Sequence, residues 1–208
     1  MFGIHDFGVF IVTCLVLNIT PGPDTFYIIG RSMAQGRSAG LASVLGISAG
    51  SVIHTLAAAL GLSALLAASA SAFLAVKLAG AAYLIYLGAK MLFRPVAAAA
   101  VPATFSTLGF FAVFRQGLLT NVLNPKVALF FLAFVPQFIV ADSPSKFAAF
   151  LVLGLSFVVT GTLWCLCLAW FASALGDKFR GSSTFGEVLN RAAGALFILL
   201  GARLAFTK

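Results

Sequence analysis

The sequence predicts an all-α integral membrane protein. Its 208 residues form a single transmembrane domain of six spanning helices. These are arranged as two inverted three-helix repeats, about 1–94 and about 105–208, with helices one and four broken. Three observations predict this. The chain is 62% hydrophobic and 9% charged, with a mean hydropathy of +1.10, which leaves too little polar surface to wrap a water-soluble core. Its charges separate apolar stretches, and six spans of roughly 20 residues nearly use up the length. Two Asn–Pro breaks fall inside apolar stretches, about half a chain apart.

The first span covers 7–23 and resumes over 25–30 after Asp24, so it is interrupted in its middle. The N-terminus lacks the charged region and small-residue cleavage site of a signal peptide, so this span is expected to be retained. No Asp, Glu, Lys or Arg occurs between Arg37 and Lys77, enough for a second span over about 39–67 and a small-residue turn at 67–72. A third span over about 73–93 is stopped by Pro95, and 95–106 reads as a connector. The fourth span is discontinuous, 108–121 and then 127–140. The fifth covers 147–175 and the sixth 188–206. Gly46-x-x-x-Gly50 and Gly80-x-x-x-Leu84 suit close helix packing. The twenty-two phenylalanines read as mostly lipid-facing.

Short loops rich in Lys and Arg stay cytoplasmic. The loop after span one holds Arg31 and Arg37, that after span three Lys90, Arg94 and Arg115, and that after span five Lys178, Arg180 and Arg191. The opposite loops offer mainly Lys77 and Lys146, with Arg203 and Lys208 at the C-terminus, so both termini are expected outside. The net charge of +8 is spread singly, without a basic stripe carrying aromatics, and this argues against a nucleic-acid partner. Cys14, Cys165 and Cys167 are odd in number and lie in apolar runs, which suits buried hydrophobes better than disulfides.

The breaks carry the chemistry. They read Asn18-Ile19-Thr20-Pro21-Gly22-Pro23-Asp24 and Asn121-Val122-Leu123-Asn124-Pro125-Lys126. Proline removes a backbone donor and frees a carbonyl, and backbone left open at membrane depth must line a cavity or be buried in protein. Half-helix N-termini attract anions, and freed carbonyls attract cations. Asp24 and Lys126 add one charge of each sign, as a substrate site or as a structural pair between the halves. His54, in the middle of span two, reads equally as a proton relay with Asp24 or as a neutral histidine bonded to a neighbouring helix.

With those two breaks the chain resembles the LysE/RhtB family of bacterial amino-acid exporters. The likeness runs nearly end to end, through Gly36-Arg37-Ser38-Ala39-Gly40, Gly46-Ile47-Ser48-Ala49-Gly50, Lys77-Leu78-Ala79-Gly80-Ala81-Ala82-Tyr83-Leu84-Ile85-Tyr86-Leu87-Gly88, Gln116-Gly117 and Phe130-Phe131. The resemblance implies a multi-pass protein of the bacterial inner membrane, with periplasmic termini, that exports neutral amino acids of the homoserine, threonine or leucine kind by proton antiport. It implies no resident cofactor or metal, a small-molecule amino-acid substrate, a coupling proton and a homodimer in the lipid bilayer. Matched residue by residue, the site is Thr20, Pro21, Gly22, Pro23 and Asp24 with Asn121, Asn124, Pro125 and Lys126, and Asn18 and His54 beside them. In that site Asp24 takes the substrate ammonium or the proton, the half-helix ends after Pro21 and Pro125 take the carboxylate, and Lys126 neutralises it. Asn18, Asn121 and Asn124 satisfy freed backbone groups. Ser51 stands where many family members carry an acid, which argues against a basic cargo.

Three rivals fit less well. A divalent-metal exporter, the strongest of them, would have only Asp24 and His54 as intramembrane ligands. A thiol–disulfide carrier lacks a cysteine near the second break, and Cys165-x-Cys167 lacks the usual redox spacing. An enzyme would need a nucleophile with its base, and only His5 and His54 exist.

Overall fold

The computed structural model describes residues 2–62, 107–140 and 142–175, with isolated helical positions between 71 and 93 and between 195 and 202. The expected third and sixth spans and the repeat at Gly80 lie largely outside these residues. Among the described residues the regular structure is all helical, apart from one antiparallel bridge between Ile4 and Ile139.

Helix α1 (Phe7–Ile19) and helix α2 (Pro23–Gln35) form an apolar pair bent by 51° at the break, long and apolar enough together to cross a membrane. At Gly36 the backbone takes φ 78°, a left-handed value that glycine adopts without strain, and the chain turns straight into α3 (Arg37–Ala57). α3 runs on through a π turn, Ala58–Leu62, and is long and apolar enough to cross a membrane. Helix α4 (Phe110–Val122) and helix α5 (Pro125–Leu129) begin the second bent apolar pair, at 46°. α5 continues as a π turn, Phe130–Phe134, and a 3₁₀ turn, Val135–Phe138. Pro136 supplies no N–H to Leu132, so the regular α pattern does not persist through this stretch. Helix α6 (Lys146–Leu175) is the fourth long apolar element.

α3 lies at the centre, packed against α2, α4 and α6. Its closest approach is to α4. A Cβ on Gly46 would strike the Phe114 carbonyl, and one on Gly117 would sit 2.9 Å from the Ser43 carbonyl oxygen. Only glycines allow backbones this near, as the small-residue spacing predicts.

Two expectations fail. Arg31 is not in a loop, because nothing breaks α2 before Gly36, and it is buried with 4% exposure. Its Nη1 donates to Gln35 Oε1 and its Nη2 to Gln116 Oε1, both at 2.7 Å. The phenylalanines are also less lipid-facing than expected. Phe10, Phe130, Phe131, Phe134, Phe138 and Phe157 form a buried ring cluster joining α1, α5 and α6, with Phe130 and Phe157 centroids 4.8 Å apart. Such tilted and edge-on ring pairs tie the segment after α5 to α1 and to α6.

Candidate functional site

Pro21 has no N–H to offer the Leu17 carbonyl, so the last turn of α1 is left with a freed acceptor. Lys126 fills the gap from the other break. Its Nζ donates to Leu17 O at 3.2 Å and to Thr20 O at 3.0 Å. Gly22 makes room for it, since a Cβ there would sit 3.2 Å from Nζ. The backbone at Gly22 is extended, so space and not conformation accounts for the glycine. Pro23 then starts α2 with its fixed φ, and Asp24 falls in the first turn, where the helix dipole favours an anion.

The second break is built by the same rule. Pro125 has no N–H for the Asn121 carbonyl, which accepts instead from Asn124 N at 2.9 Å and from His54 Nε2 at 3.2 Å. A carbonyl only accepts, so Nε2 carries the hydrogen. Asn124 caps α5, its Oδ1 accepting from Lys126 N at 3.0 Å. The Asn121 side chain reaches back to the first break and donates from Nδ2 to Asp24 Oδ2 at 2.8 Å, while Ser51 Oγ donates to Asn121 Oδ1 at 3.3 Å.

Asp24 and Lys126 face one cavity of about 30 Å³, together with Asn18, Ser48, Ser51 and Asn121. That is room for about two water molecules and too little for an amino acid. Apolar walls come from Leu17, Ile47, Val127 and Phe157. Among the described residues the ion pair is His5–Asp6, so Asp24 and Lys126 are not directly bonded. Asp24 Oδ1 is buried without a hydrogen-bond partner. Lys126 Nζ, with three donors, uses two of them on carbonyls.

The structure thus brings Asn18, Asp24, Asn121 and Lys126 together and places Thr20 and Gly22 beside them. It does not bring His54 to Asp24, since His54 lines a separate cavity and stacks on Phe131 with centroids 5.8 Å apart. The asparagines also differ from expectation. Only Asn124 satisfies a backbone group with its side chain, whereas Asn121 holds the carboxylate and Asn18 Nδ2 donates to Thr160 Oγ1 at 3.3 Å. The first half-helix begins at Pro23, two residues later than Pro21. At the second, one of the N–H groups expected to meet a substrate is already capped by Asn124.

Sequence reasoning missed the α6 wall. Gly161, Thr162 and Cys165 line the charged cavity, and Thr162 Oγ1 lies 2.7 Å from Ser48 Oγ across it. The signal was a Thr160-Gly161-Thr162 run inside an otherwise apolar span. It also missed the cluster at the far end of α2 and the start of α4. There Tyr27 Oη donates to Val113 O at 2.7 Å beside the Arg31–Gln116 contact.

A helical bundle apolar enough for a membrane, with two bent spans enclosing one acid and one base, defines a membrane translocation protein better than a catalyst. The family model for LysE type translocators matches residues 15–208, and the chain belongs to that family. It is similar to the leucine efflux protein of Salmonella typhimurium, 27% identical over 98% of this chain and 96% of the relative. It is 32% identical to the homoserine/homoserine lactone efflux protein of the same organism, over 96% and 95% of the two chains. An uncharacterized membrane protein of Vibrio cholerae is 31% identical over 99% and 98%. No solved structure matches the chain.

Proposed function

We propose that the protein exports neutral amino acids across the bacterial inner membrane in exchange for protons. One observation carries the reading. A single cavity at two helix breaks holds a buried carboxylate oxygen without a partner and an ammonium with a donor to spare, and the two are not bonded to each other. An amino-acid zwitterion supplies the complement, its ammonium to Asp24 Oδ1 and its carboxylate to Lys126 Nζ. Either a proton or an ammonium satisfies Asp24, so release of one admits the other, which is the logic of an antiporter. The efflux activities named for the two Salmonella relatives support an amino-acid cargo.

The cavity is too small for such a cargo, so in this reading transport requires the bent halves to part. In this reading six spans form two inverted repeats in a homodimer, both termini are periplasmic, and the breaks lie at the repeat interface. Efflux of labelled leucine and threonine, preloaded as dipeptides, tests it. Asp24→Asn is expected to abolish uncoupler-sensitive efflux while the protein still reaches the membrane in normal amount. Normal export by that variant would remove Asp24 from the mechanism.

A further inference from the structure

The larger cavity is not the one that holds the charges. A space of about 140 Å³ lies between α3 and the α5 segment, lined by His54, Ala57, Ala58, Ala128, Phe131 and Leu132. Both of the chain's described π turns wall it, since Ala58 belongs to Ala58–Leu62 and Phe131 and Leu132 to Phe130–Phe134. A π turn displaces the helix wall by one extra residue and is frequently found at functional sites. Here two of them border one cavity.

The two cavities are neighbours. Ser51 and Val127 line the charged one, His54 and Ala128 the apolar one, so they are about one helical turn apart along α3. Asn121, in the wall of the charged cavity, links the two, its side-chain amide on Asp24 and its carbonyl on His54.

Resting on the amino-acid reading above, we propose that the apolar cavity is the side-chain subsite, which receives the aliphatic side chain of a neutral amino acid held by Asp24 and Lys126. Its volume is close to the roughly 150 Å³ of an apolar cavity that takes up benzene, ample for a branched four-carbon side chain. Among the described residues its lining is apolar except for the imidazole, whose Nε2 is occupied by Asn121. A cationic or anionic side chain would meet no opposite charge among these residues and would be rejected.

Filling the cavity tests this. In cells preloaded with labelled dipeptides, Ala128→Leu is expected to lower leucine efflux roughly tenfold or more while threonine efflux stays within about twofold. Leu132→Ala, at a half-exposed position, enlarges the space and is expected to raise the ratio of phenylalanine to leucine efflux at least about threefold. Unchanged leucine efflux in Ala128→Leu overturns the subsite. So does equal loss of leucine and threonine efflux combined with unaltered selectivity in Leu132→Ala. A wild-type protein that moves threonine but not leucine overturns the subsite alone, whereas one that moves neither overturns the amino-acid reading beneath it.

Discussion

The two broken spans obey one rule and end in different chemistry. In each, a proline withholds its N–H from the carbonyl four residues earlier, Leu17 before Pro21 and Asn121 before Pro125. The first freed carbonyl is taken by an ammonium, Lys126 Nζ, and the second by an imidazole, His54 Nε2. The first break also depends on the second for its acid, since Asn121 holds Asp24. The second break has a cap of its own in Asn124. A shared sequence pattern therefore hides an asymmetry: the first break is completed from outside, and the second largely completes itself. Under the proposed transport reading, parting the two halves would strip donors from Leu17, Thr20 and Asp24 together, and a substrate ammonium would replace them.

Removing the outside donor should have the largest effect. Lys126→Met leaves the Leu17 and Thr20 carbonyls without this donor at a buried place, at roughly 1–3 kcal/mol for each group left unsatisfied. Efflux is expected to fall to background, and thermal unfolding in detergent to come several degrees earlier than in wild type. Retained export in Lys126→Met would show that the carbonyls need no charge and that the substrate carboxylate binds elsewhere.

Removing the second break's own cap, an acceptor, should matter much less. Asn124→Ala deletes the cap on Lys126 N, at about 1 kcal/mol of stability. Because Asn124 does not line the charged cavity, efflux is expected to stay within about twofold while the thermal midpoint drops. Loss of export equal to that of Lys126→Met would erase the distinction between the two breaks.

The sequence made the breaks legible because Pro, Gly and lone charges at membrane depth have few innocent explanations. Asp24, Asn121 and Lys126 were recognisable for that reason, and the bends at 51° and 46° fall where the prolines stand. Which side chain would satisfy which carbonyl was not legible. Such pairings span more than a hundred residues in the chain for Lys126 and Leu17, and they depend on how the helices face one another. Arg31 was misplaced because a charge near the end of an apolar run reads as a loop residue. The amides of Gln35 and Gln116 that solvate it inside the protein are inconspicuous in sequence. The π turns leave no pattern of their own in composition, so the apolar cavity had no sequence signal at all.

His54 offers the finest discrimination between the breaks, and the smallest expected effect. Its two readings, proton relay and bonded neutral histidine, separate on a substitution that keeps the donor and discards the titration. Glutamine presents an amide N–H to the Asn121 carbonyl and takes up no proton near neutral pH. The carbonyl already accepts from Asn124 N, so even an imperfect bond from glutamine leaves it satisfied. His54→Gln is therefore expected to leave efflux within about twofold and stability within roughly 0.5 kcal/mol, a change smaller than a typical net hydrogen bond. Efflux measured with an imposed pH gradient decides between the readings. If His54→Gln loses the response to the gradient while keeping substrate binding, then His54 carries the coupling proton, and the ammonium and the imidazole at the two freed carbonyls are functional counterparts. An unaltered response confines coupling to Asp24 and leaves His54 as the second break's carbonyl partner and a wall of the apolar cavity.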